Sequence, residues 1–152
     1  MSADGRFRYP LEAVLKARML ELDVAQAEEA NARHVVAEKQ QQMGQAQRSV
    51  SELEQQTRQT LSEGQVLDPQ LQSLRTRYLV VARERLAARA AELSRAQSVH
   101  EQTQRSLGLQ LQKVRALERH REAQLSSHRL EATRAQEKIQ DELWLSKIAA
   151  GD

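Results

Sequence analysis

Histidine, carboxylate and arginine are the side chains available for chemistry here, because the chain contains no cysteine. That absence removes thiolate zinc sites, cysteine nucleophiles and disulfide frameworks, and it fits a reducing compartment. The histidines are His34, His100, His120 and His128. Two ligands on one helix must lie about one turn apart to share a metal, whereas His120 and His128 are separated by more than two turns. They read as solvated or interhelical histidines, and no metal or cofactor is expected. Carboxylates are plentiful, but acid–base work needs a pocket that shifts their pKa. The sequence has no phosphate-cradling glycine loop, no Gly-x-Ser-x-Gly elbow and no His-Glu-x-x-His pair. An enzyme is not expected.

Arg75, Arg77, Arg83, Arg85, Arg89, Arg95, Arg115, Arg119 and Arg121 could neutralise phosphates. Residues 69–135 hold 13 basic and 6 acidic side chains, whereas residues 11–63 hold 6 basic and 9 acidic. Those two segments attract each other, and no aromatic residues are interleaved with the arginines to stack bases. A partner-facing or solvated basic surface is therefore expected rather than a nucleic-acid site.

The elements that carry these residues follow from composition. Of 152 residues, 39% are apolar but only 3% aromatic, so the bulky side chains of a compact core are missing. Pro10 and Pro69 each sit where a helix opens, since proline at the first helical position forfeits no hydrogen bond. Asp68 is a natural N-cap, and Gly64 can take the left-handed conformation that ends a helix. The prediction is a helix over 11–63, a turn over 64–68 and a helix over 69–149, with 1–152 as a single domain. At 1.5 Å per residue the helices span roughly 80 Å and 120 Å.

Apolar residues recur with a seven-residue period. The first helix reads Leu15, Leu22, Glu29, Val36, Met43, Val50, Thr57, with a second series through Arg18, Ala25, Ala32, Lys39, Ala46, Leu53 and Thr60. The second reads Leu79, Leu86, Leu93, His100, Leu107, Val114, paired with Ala82, Arg89, Ala96, Thr103, Gln110 and Leu117. This is an imperfect coiled-coil seam of left-handed twist. An antiparallel hairpin closed at the turn places residues opposite one another when their numbers total about 132. Leu53 then faces Leu79, Val50 faces Ala82, Ala46 faces Leu86, and Leu15 faces Leu117. A polar layer puts Glu29 opposite Thr103 and Ala32 opposite His100. The fold class expected is all-α: a long two-helix antiparallel coiled-coil hairpin whose C-terminal helix overhangs from about residue 122. That overhang carries Leu125, Leu130, Ile139, Leu143, Trp144, Leu145 and Ile148 with no partner in this register, so it is a candidate to bind another protein. Trp144 is either the anchor of that contact or folds back onto Phe7 and Tyr9.

The opening Arg6-Phe7-Arg8-Tyr9-Pro10-Leu11-Glu12-Ala13-Val14-Leu15-Lys16-Ala17-Arg18 resembles the start of the flagellar export protein FliJ and its injectisome relatives of the YscO type. The length, the break near residue 65 and the run from Arg134 to Leu145 are similar as well. The resemblance implies an antiparallel coiled coil like the central stalk of rotary ATPases. Such a stalk inserts its paired termini into the pore of a hexameric export ATPase, promotes its assembly and activity, and links it to the export gate and to export chaperones. It implies an ATPase-facing set of Phe7, Tyr9, Leu11, Leu15, Arg18, Arg121, Leu125, Ile139, Leu143 and Trp144. The family's gate-contact pattern has its closest match in Leu74, Tyr78, Val81 and Arg85, although the first is not aromatic and the last is not histidine. No apolar run approaches the roughly 20 residues of a membrane span. With no signal-like start, a soluble cytoplasmic protein is expected, peripheral at an inner-membrane export apparatus. The rival readings are a structural or tethering coiled-coil dimer and an export chaperone.

Overall fold

A computed structural model of the chain describes residues 7–64 and 68–151. It contains two helices, α1 over Glu12–Ser62 and α2 over Pro69–Ala150. The ends follow the expected cap chemistry. Gly64 has a φ of 62°, the left-handed region that ends a helix without a Cβ penalty. The Asp68 side chain accepts a 3.0 Å hydrogen bond from the backbone N–H of Gln70, which makes it the N-cap of a helix that Pro69 opens. Of the predicted turn, Gln65, Val66 and Leu67 lie outside the described residues, as does Arg6 of the N-terminal motif. At the other end the backbone N–H of Glu12 bonds the Tyr9 carbonyl at 3.2 Å, so a turn at Pro10 leads into α1.

Two compact units share the helices: one formed by Met1–Val24 with Gly108–Asp152, the other by Ala25–Leu107. In each, α1 and α2 run antiparallel, as the two-helix hairpin requires. In the unit of Ala25–Leu107, Glu29 meets His100, Lys39 meets Glu92, Gln42 meets Arg89 and Glu54 meets Arg83. The buried residues there are Ala25, Ala32, Ala46, Val50 and Leu93, all on the predicted seam. Small alanines on α1 let the larger side chains of α2 seat close to its backbone, the knobs-into-holes packing that a seven-residue repeat permits. The polar layer forms one helical turn away from the sequence expectation. Glu29 reaches His100 at 2.9 Å rather than Thr103, whose hydroxyl instead donates to the His100 carbonyl at 2.8 Å.

Near the turn the seam becomes polar. Thr57, Thr60, Gln72 and Arg75 are half-buried there, and Gln72 Oε1 and Arg75 Nη1 are enclosed with no hydrogen-bond partner among the described residues.

The unit of Met1–Val24 with Gly108–Asp152 has the denser core. Leu15 and Val114 are each 4% exposed and Tyr9 6%, with Phe7, Leu22 and Leu117 packed against them. Each such side chain contributes about 1.5–3 kcal/mol of burial. Among the described residues no side chain falls below 2% exposure, which is the signature of a seam two helices wide. Here the structure departs from the simple register. Phe7 and Tyr9 precede α1, and an extended residue advances more than 3 Å along the chain direction against 1.5 Å in a helix. Phe7 therefore lies against His128, three residues beyond the position 125 that the helical register pairs with it, whereas Tyr9 meets Leu117 and His120, short of position 123. Phe7 packs against His128 with ring centroids 5.5 Å apart and ring planes tilted by 59°, and Leu125 and His128 are half-buried. The uncovered stretch of α2 begins at Arg129 rather than near residue 122.

Charge pairing across the seam centres on Glu92. Hydrogen bonds from Lys39 at 2.9 Å and Arg89 at 3.1 Å, with the attraction of both cations, hold its carboxyl below the ordinary value of 4.5. A carboxylate depressed on folding contributes stability that is complete above its unfolded pKa and is lost as pH falls through its folded pKa. Glu92→Gln is expected to lower the thermal midpoint slightly at pH 7, less so in high salt, and to flatten its fall below about pH 4.5, so that the two proteins converge in acid. Circular dichroism melts of both proteins across that range, with parallel acid limbs as the contrary result, check this.

Candidate partner-binding surfaces

One histidine makes an interhelical contact and two hold the segment before α1. His100 bonds Glu29, His120 Nδ1 lies 2.8 Å from the Tyr9 hydroxyl, and His128 packs on Phe7. His34 is exposed. Among the described residues no cluster of three or more His, Asp or Glu side chains is arranged to hold a metal. Three surfaces combine apolar area with a helical scaffold.

The first comprises the ten residues that the resemblance assigned to an ATPase, and the structure divides them. Tyr9 and Leu15 are core residues, so they position the end of the molecule rather than present a surface. The Tyr9 hydroxyl, also 3.3 Å from the Leu117 carbonyl, ties the segment before α1 onto α2. Phe7 and Leu125 are half-buried, and Leu11 is 38% exposed. Arg18 pairs with Glu21 at 2.6 Å on its own helix, and Arg121 reaches across to Glu12 at 3.3 Å. Ile139, Leu143 and Trp144 form the outer group, each more than half exposed. Trp144, 64% exposed, stays clear of Phe7 and Tyr9, whose rings meet His128 and His120 instead.

Every described residue from Arg129 onward is exposed. At about 100° per residue, Ala132, Ala135, Ile139 and Leu143 fall on one side of α2, while Leu130, Trp144, Leu145 and Ile148 fall on the opposite side. The end of the helix thus carries large apolar side chains on two opposite sides, the second of which it shares with Arg134, Glu137 and Asp141.

The second surface is Leu74, Tyr78, Val81 and Arg85 on α2 of the other unit. All four are exposed, Leu74 at 48%, Tyr78 at 60% and Val81 at 52%. Their spacing keeps them on one helix face.

The third surface was not visible as a site in the sequence. Ala32, Val35, Ala96 and Val99 line a groove between α1 and α2 within the unit of Ala25–Leu107. Also missed were Glu12, His120 and His128 as the residues that dock the N-terminal segment. His120 fits neither seven-residue series, because its partner Tyr9 is not helical, whereas His128 continues the series through Leu107 and Val114 two repeats on.

Among the described residues no helix is long and apolar enough to cross a membrane. No protein-family model matches the chain, and neither a curated protein nor a solved structure matches it.

Proposed function

We propose that the chain is the non-catalytic central stalk of a type III secretion or flagellar export ATPase. In this reading the end formed by the N-terminal segment and the C-terminal part of α2 enters the pore of the ATPase hexamer and promotes its assembly and activity. The Leu74, Tyr78, Val81 and Arg85 face meets the export gate, and export chaperones bind the same hairpin. The protein works in the cytoplasm, held peripherally at the membrane-bound export machine.

The observation that carries this reading is the two-faced end of α2. A helix apolar on one side is covered by a single groove, whereas apolar residues on opposite sides need cover all round. A pore through a ring provides that cover, and a flat partner does not. The resemblance of residues 6–18 to the stalk family supports the same assignment.

The test is stimulation of the cognate export ATPase. Full-length chain is expected to raise its turnover, and a chain ending at His128 is expected to raise it not at all. That truncation keeps the Phe7–His128 contact and the whole buried core, so loss of effect reports the overhang. Unchanged stimulation by the shortened chain sinks the terminus-in-pore contact.

A further inference from the structure

The groove in the unit of Ala25–Leu107 has the geometry of a seat for further helices. Its volume is about 470 Å³. On α1 it follows Glu28, Ala32, Val35 and Lys39, and on α2 it follows Glu92, Ala96, Val99 and Thr103. Both series run at i, i+4, i+7 and i+11, so each helix offers one continuous stripe over about three turns. Alanines at the centre keep the floor low, which lets another helix approach closely, and Val99 on the rim is 52% exposed.

The charges at its two ends are of opposite sign. Glu28 marks one end. At the other, Lys39 and Arg89 both bond Glu92, and Arg95 adds a third cation, so that end is net positive. A two-fold axis across the middle of the groove turns a second copy end for end. Glu28 of each copy then meets the Lys39 and Arg95 end of the other, and Ala32 of each meets Val35 of the other. The surface is therefore self-complementary in charge and in size, the property that a symmetric interface between identical patches requires.

We propose that this groove pairs with the same groove of a second copy of the chain, the two units packing as four helices. The contact uses none of the residues beyond Arg129, so it stands independently of the stalk reading. Three turns make a short face, well under the ~800 Å² per partner of a standard stable interface. The association is accordingly reversible and concentration-dependent, at micromolar strength or weaker.

Sedimentation equilibrium of the full chain from roughly 10 to 500 μM tests it. The expected mass rises from 17.3 kDa toward twice that value. Val99→Glu, at an exposed position, and Glu28→Lys, which sets two like charges together at each end, are each expected to weaken the dimer at least tenfold. Helicity by circular dichroism should remain that of the parent. Three results overturn the proposal: a mass of 17.3 kDa at every concentration, a dimer indifferent to both substitutions, or a dimer lost only when residues 129–152 are removed. The last would place self-association on the overhang.

Discussion

Leu15→Ala is expected to lower the unfolding free energy by about 2–4 kcal/mol, the range for deleting a well-buried leucine side chain. For a chain of this size that is a drop of roughly 5–12 °C in thermal midpoint. Leu15 is 4% exposed and packs with Tyr9 and Val114, so the deletion opens a cavity at the densest point of the fold. A seam two helices wide can also close partly on a void, which argues against the upper extreme of the leucine series. Leu20, five residues on and 68% exposed, is the control: Leu20→Ala should change the midpoint by no more than a degree or two. Chemical and thermal melts of both variants measure the contrast. Equal losses would mean that the Tyr9, Leu15 and Val114 cluster does not hold the hairpin together.

Trp144→Ala has its largest expected effect on partner binding. Trp144 is 64% exposed on a helix with no intramolecular cover, so its removal should leave the melting curve unchanged. If α2 enters an ATPase pore, truncating its largest ring should weaken binding by about 2 kcal/mol or more, roughly thirtyfold. Titration of the ATPase by calorimetry, alongside a melt of the variant alone, separates the two effects. Undiminished affinity would remove Trp144 as an anchor. A lowered midpoint would place the ring in a fold-stabilising contact instead.

Much of the fold was legible in residue order because a coiled coil is a periodic object. Each seam position depends on its place in a seven-residue cycle, so the two series through Leu15 and Arg18 picked out residues that are buried or half-buried along the whole of α1. The same held on α2 from Leu79 to Leu117. Gly64, Asp68 and Pro69 marked the turn because each acts on its own backbone, through left-handed φ, an N-cap bond or a fixed φ, without tertiary help. The candidate surfaces were less legible. Leu74, Tyr78 and Val81 share one face by spacing alone, but exposure decides whether such a face is a surface.

Sequence by itself determined the two helices, their antiparallel pairing and the approximate register, since all three follow from local cap chemistry and period. The tertiary structure alone decided three further things. It fixed where the overhang starts, because Phe7 lies before α1 and packs on His128, a contact that the period of α1 does not encode. It separated Tyr9 and Leu15, which build the core, from Ile139, Leu143 and Trp144, which remain exposed. It also produced the groove over Ala32 and Ala96, since a concavity depends on side-chain size on both helices at one level. Periodicity reports which face of a helix turns inward; how much space two such faces leave between them is a property of the pair.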